Sequence, residues 1–243
     1  MLKNSRYIFI LLAFIAGLNS VVLGQSGKKF HQMNHREIDA IIRQTSESTM
    51  TVTQKMNLLS EFFLGMPYNI KCVGDGPYAL FEPWPLVNFK ETNCMAFCEH
   101  VLALAISDSW DNFFNNLQKI RYRDGLIGMK TRNHYTMADW LPQNKWLLQD
   151  VSVKVGGKYT KKLTRTISHR RFFSGKGLTD MSDVEADSAV TIDYIPIEDL
   201  PLVQVNLKTG DIITLIYANL NNIFAEHMVL VAQKDNHKVI RVS

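Results

Sequence analysis

The sequence predicts an α+β fold, and three observations carry that reading. Apolar residues recur at helical spacing through the first part of the chain, a capped apolar helix starts at residue 94, and from Leu207 onward short β-branched runs alternate with turn residues. Taken in order, Ile38, Ile41 and Ile42, then Met56, Leu59, Phe62 and Phe63, predict two helices within residues 34–64. Gly65 and Pro67 end the second. Residues 69–92 read as loop and short strand, broken by Gly74, Gly76, Pro77, Pro83 and Pro85. A helix follows from about Cys94 to Ser107, apolar on most sides and so expected to be buried, and another spans Trp110 to Ile120. Strands are expected at Asp211–Tyr217, His227–Ala232 and Lys238–Val242.

Composition sets the bounds. The 243 residues are 46% hydrophobic and 21% charged, which excludes wholesale disorder, collagen and coiled coil. A net charge of +4 is too mild to argue for nucleic acid. Residues 1–24 stand apart: Lys3 and Arg6 precede an apolar run from Tyr7 to Leu18, with small residues at Val22 and Gly24 before Gln25. This predicts a signal peptide and export, the alternative being an uncleaved N-terminal anchor. No later run reaches membrane-spanning length, so no integral segment is expected after cleavage. Residues 154–176 hold eight bases and no acid, and residues 180–199 hold seven acids and no base. They read either as two solvated segments facing each other or as a basic rim for an anionic polymer.

Three cysteines cannot all pair, and in an oxidising compartment a spare thiol is buried or used. In Asn93-Cys94-Met95-Ala96-Phe97-Cys98-Glu99-His100, Asn93 is a good N-cap and places Cys94 at the first helical position. There a sulfur faces the positive end of the helix dipole, which suits a nucleophile. A core cysteine at a helix start is the structural alternative. Cys98 and Cys72 read as packing residues. Cys-x3-Cys-x-His is not a recognised zinc spacing, and no metal or cofactor is expected. Of the seven histidines, His227 opens the apolar strand His-Met-Val-Leu-Val-Ala and is the leading base, with His134 also open. His31, His35 and His169 read as surface residues, and His100 lies on another face of the Cys94 helix.

Several ordered segments resemble a known family, the N-acetylmuramoyl-L-alanine amidase-like branch of the NlpC-type, papain-like cell-wall cysteine amidases. They are Phe63-Leu64-Gly65-Met66-Pro67-Tyr68, the Asn93–Glu99 stretch, Arg121-Tyr122-Arg123-Asp124-Gly125 followed by Arg132-Asn133-His134-Tyr135 and Asp139-Trp140, and Gly210-Asp211-Ile212-Ile213 with Glu226-His227-Met228-Val229. The resemblance covers residue 45 to the end. It implies a papain-like α+β core, a nucleophile helix packed on a C-terminal antiparallel sheet, with residues 25–44 as an N-terminal extension. The implied reaction is hydrolysis of the amide joining N-acetylmuramic acid to L-alanine in peptidoglycan or muropeptides. Cys94 would be the nucleophile and His227 the base, and Tyr68, Arg132, Asn133, His134, Tyr135, Asp139 and Trp140 would shape the substrate cleft. The implied setting is the periplasm or exterior of a bacterium. Where the family places a histidine that orients the catalytic imidazole, this chain has Arg241 in Ile240-Arg241-Val242-Ser243. A guanidinium has donors only, so it cannot accept an imidazole N–H. The resemblance also implies more sheet after this point, so a C-terminally truncated domain is expected at 45–243, and the alternative function is an inactive homologue that binds wall fragments.

Overall fold

The computed structural model describes residues 27–235 and 237–242. The expected signal segment at 1–24 lies outside the described residues. Helix α1 spans His35–Ser46 and α2 spans Val52–Glu61. Both open on reciprocal capping boxes: Asn34 accepts from the Glu37 N–H while Glu37 accepts from the Asn34 N–H, and Thr51 and Gln54 repeat the arrangement. Helix α3, Cys94–Ala105, is buried from Ala96 to its end, as its nearly continuous apolar sequence requires. Helix α4, Trp110–Arg121, is capped by Ser109 and buries Phe113, Leu117 and Ile120.

These helices share one core with the sheet. Phe97, Val101, Phe113 and Leu117 are fully buried in it, each stabilising the fold by about 1.5–3 kcal/mol. Phe30, Ile38 and Ile42 belong to the same core. The expected boundary between residues 44 and 45 therefore falls inside α1, and the supposed extension is part of the domain. The sequence did not reveal this because an amphipathic helix does not name its partner.

The C-terminal sheet has the order β3-β4-β5, all antiparallel, with β3 at Ile212–Ile216, β4 at Ala225–Lys234 and β5 at His237–Arg241. The central strand β4 packs on α3 through Met228 and Leu230. Its pairing with β3 is irregular at one point. Leu215 faces His227 and Ile216 faces Ala225, so Glu226 is an extra residue, a β-bulge beside His227.

A second, two-stranded sheet was not expected. Strand β1, Lys161–Ile167, pairs antiparallel with β2, Ser188–Tyr194. The basic and acidic segments meet where β1 pairs with β2, with Lys162 at 2.9 Å from Asp193, while Asp180 and Asp183 pair instead with Lys130, outside the basic segment. The inner face of the small sheet carries Leu163 opposite Ile192 and Arg165 opposite Val190. Among the described residues no helix is long and apolar enough to cross a membrane.

Candidate active site

Backbone pairing builds the surroundings of Cys94. The Asn69 N–H donates to the Thr92 carbonyl at 2.8 Å and the Thr92 N–H to the Pro67 carbonyl at 3.0 Å, which lays Tyr68 alongside the start of α3. Asn93 then caps the helix, its side-chain oxygen accepting from the Ala96 N–H at 2.8 Å, and its amide donates to the Ile70 carbonyl. Cys94 is the first residue of α3, where backbone N–H groups have no intrahelical acceptor. It is a free, partly exposed cysteine, while Cys72 and Cys98 are free and buried. Burial pushes the Cys72 thiol up to about 11 and the Cys98 thiol well above its ordinary value, so neither is a ready nucleophile. The Tyr68 phenol is raised by burial and then by Cys94, whose sulfur it contacts.

Cys94 and His227 line the same cavity, together with Met95, His134, Tyr135, Thr136, Met137, Phe224, Glu226 and Met228. The helix start supplies one wall and the bulged head of β4 supplies another. Among the described residues no hydrogen bond joins the Cys94 thiol directly to the His227 ring. Such contacts commonly tighten only when substrate is bound.

The third wall comes from residues 134–137. Antiparallel pairing of Tyr122 with Arg132 and the Asn133 N–H on the Arg121 carbonyl carry this segment off the end of α4. His134 donates through Nε2 to the Met129 carbonyl at 2.7 Å, since a carbonyl can only accept. Burial lowers this imidazole to about 4, so it is neutral at pH 7. Tyr135 is held twice: its N–H donates to Asp139 Oδ2 at 2.9 Å and its hydroxyl to the Ser168 carbonyl at 3.3 Å. The other Asp139 oxygen lies 2.8 Å from His169 Nε2, and His169 stacks edge-on against the Tyr135 ring. The Asp139 contact raises the His169 imidazole above its ordinary value. His169 is therefore not the surface residue expected from its polar neighbours. Its partner lies thirty residues away in sequence, a pairing that only tertiary structure discloses.

Other residues expected at the cleft are turned away from it. Arg132 forms an ion pair with Glu82 and approaches Asp75 at 3.5 Å. Asn133 is buried and donates to the Ile120 carbonyl at 3.1 Å. Trp140 packs in the main core. Asp139 acts one layer back, through Tyr135 and His169. His100 is buried, bonded to the Ala96 carbonyl and lowered by burial to about 3, so it is a core histidine.

Arg241 also differs from its expected placement. It stands opposite Leu230 and shares its face of the sheet. His227 is three residues before Leu230, and the two-residue period of a strand puts it on the other face. The Arg241 guanidinium reaches α2 instead, donating to the Asn57 carbonyl at 2.9 Å and to the Ser60 hydroxyl, with Glu61 at 3.4 Å. It caps the carboxyl end of that helix and does not confront the His227 ring.

The comparisons with known proteins agree with this architecture. A family described as AmiA-like, N-acetylmuramoyl-L-alanine amidase-like, matches residues 58–243. A Legionella pneumophila protein superposes with a TM-score of 0.73 at 19% identity, over 85% of this chain and 83% of that one, a likeness of fold. An N-acetylmuramoyl-L-alanine amidase from Bacteroides uniformis superposes with a TM-score of 0.62 at 28% identity, over 78% of this chain and 84% of that one. A Bacteroides fragilis structure carrying the name of a xylanase gives a TM-score of 0.57 at 26% identity, over 75% and 89%. No curated protein matches the chain in sequence.

Proposed function

The chain belongs to the AmiA-like, N-acetylmuramoyl-L-alanine amidase-like family, and on that premise we propose that it is a cysteine amidase of NlpC-type, papain-like architecture. It cleaves the bond between the lactyl carbonyl of N-acetylmuramic acid and L-alanine in peptidoglycan fragments. The observation that carries this reading is the convergence of Cys94 and His227 on one cavity, with Tyr68 against the thiol. The charged and apolar pattern of residues 1–24 supports export, and the proposed setting is the periplasm or exterior of a bacterial cell.

The chemistry follows from the placement of the groups. His227 takes the Cys94 thiol proton as the sulfur attacks the lactyl amide carbon, and charge develops on the carbonyl oxygen. The Cys94 backbone N–H and the Tyr68 hydroxyl stabilise that oxyanion. The C–N bond breaks as His227 gives a proton to the alanine nitrogen, leaving the lactyl group as a thioester on Cys94. His227 then takes a proton from water, which hydrolyses the thioester and frees the thiol. Tyr135, fixed by Asp139 and His169, and neutral His134 form the wall on which the substrate rests. Glycoside hydrolysis is less well supported. It generally needs two carboxyl groups roughly 5–9 Å apart across the bond, and the described cavity lining holds one, Glu226.

One observation favours a second reading, a homologue that binds wall fragments without turnover. Strand β5 pairs with β4 only from Leu230 to Lys234, so among the described residues no β5 side chain stands opposite His227 to orient its ring. Incubation with purified muropeptides separates the two. The amidase reading predicts a released peptide with a new amino-terminal alanine and a free muramic acid carboxyl. Binding by calorimetry without any release would establish the second reading, and cleavage at another peptide bond would overturn the proposed substrate.

A further inference from the structure

Arg165 is a buried cation that the mechanism above does not use. It lies on the inner face of the β1-β2 sheet and is 5% exposed. Among the described residues no carboxylate pairs with it. Its guanidinium donates to the Ile223 carbonyl and to the Tyr217 carbonyl and lies over the Phe224 ring, 5.2 Å from its centroid. Burying an unpaired charge is costly, and an apolar side chain would fill the same space more cheaply. What the guanidinium adds is geometry, two divergent donors fixed in one plane.

The two acceptors are significant. Tyr217 directly follows β3 and Ile223 lies two residues before β4, so the two carbonyls are the two sides of the mouth of the β3-β4 connection. A further bond, from the Tyr217 N–H to the Phe224 carbonyl at 2.9 Å, closes the same mouth. Immediately beyond it lies the bulge at Glu226, and next to that His227. The bulge offsets the pairing on its two sides by one residue, and in a strand an offset of one residue turns a side chain to the opposite face, so the placement of His227 depends on where the bulge falls. A slip there would change where the His227 side chain stands in the cavity it shares with Cys94.

We propose that Arg165 is a positioning residue for the active site: it locks the register of the β3-β4 connection and so holds His227 toward Cys94. The inference rests on the proposed pairing of Cys94 with His227. It also gives the β1-β2 sheet a role, as the platform that carries the lock.

The test is the rate at which iodoacetamide labels Cys94 at pH 7 in the purified full-length chain, read by mass spectrometry of the Cys94 peptide. Folding is checked by circular dichroism and thermal melting. His227→Ala is expected to slow labelling about tenfold, because a neighbouring base promotes thiolate formation. Arg165→Met is expected to slow it by a similar factor. Arg165→Lys should fall between the two, since an ammonium lacks the planar fork and holds one carbonyl better than two. It also carries the test if Arg165→Met does not fold. Arg241→Met, which removes a comparable buried guanidinium at the far side of the other sheet, should stay within about twofold of wild type. Slowing in His227→Ala but not in the Arg165 variants overturns the role of Arg165 and leaves the proposed function standing. Equal slowing in Arg241→Met marks general loosening and also overturns it. No slowing in His227→Ala overturns the pairing itself, and the positioning role with it.

Discussion

Cys94→Ala is expected to abolish muropeptide hydrolysis, lowering kcat/KM by at least about 10³-fold, while the protein stays folded. The reason is covalent. Without the sulfur no thioester forms, and what remains of the site, an oxyanion pocket and a neutral wall, binds substrate without offering a nucleophile. Loss of His227 is expected to cost a comparable factor, because the leaving amine then departs unprotonated. The effects should not add: residues that act as one unit lose nearly everything at the first substitution, so the double variant should match the worse single one. Stability should change little in Cys94→Ala, because Cys94 is only partly buried at the margin of the core. Initial rates over a range of muropeptide concentrations, with a melting curve for each variant, check all three statements. A Cys94→Ala protein retaining a tenth of wild-type activity would contradict them.

Arg121→Met is expected to produce the largest loss of stability, about 3–5 kcal/mol. Arg121 is 1% exposed at the end of α4. It donates to the Leu86 carbonyl at 2.8 Å and the Gly74 carbonyl at 3.2 Å, and its Nε lies 3.4 Å from the Glu99 carboxylate. Glu99 lies on α3 and is also buried, and burial raises its carboxyl above the usual range against the pull of Arg121. Removing the cation strands a buried acid and leaves two carbonyls without a donor at once. It also loosens the 74–86 loop, which the Tyr122 hydroxyl through Gly74 and Asp75, and Arg132 and Lys176 through Glu82, would still hold. Urea unfolding measures the loss. The double variant with Glu99→Gln should recover part of it, because no charge is then left unpaired. A cost under about 1 kcal/mol would show that the network is dispensable.

These two residues also show how far the sequence can be read. The position of Cys94 at a helix start was legible because the signal is local: an N-cap, a thiol and an apolar helix lie side by side. The four long helices and the three C-terminal strands were legible for the same reason, since their apolar periods are uninterrupted. Arg121 was visible only as part of a segment shared with the family. That it anchors a loop in the fold follows from contacts with residues some fifty positions earlier in the chain. The β1-β2 sheet was missed because its pattern is diluted by charge. Leu163, Arg165 and Ile167 alternate inward with period two, but Arg165 reads as a solvated base until the carbonyls it holds are seen. Val190 and Ile192 carried the matching signal and were hidden among acids.

Arg241 was misjudged for a related reason. A single residue can be placed on the correct strand from sequence, yet which face it shares with His227 depends on register, and register is set by the Leu230–Arg241 pairing across the turn. Arg132, Asn133 and Trp140 lie in a segment that does reach the cavity, but it is His134, Tyr135, Thr136 and Met137 that line it. A motif names a stretch of chain, and side-chain direction sorts that stretch into what touches substrate and what supports it.

The most direct test of the central claim, that Cys94 is the nucleophile, is a single-turnover reaction with excess enzyme and a defined muropeptide, quenched in acid and examined by mass spectrometry. The prediction is a thioester on the Cys94 peptide with the mass of the muramyl acyl group, formed as the alanine-terminated peptide is released and gone when hydrolysis is complete. Release of that peptide with no adduct on Cys94 at any time, and at an undiminished rate in Cys94→Ala, would contradict it.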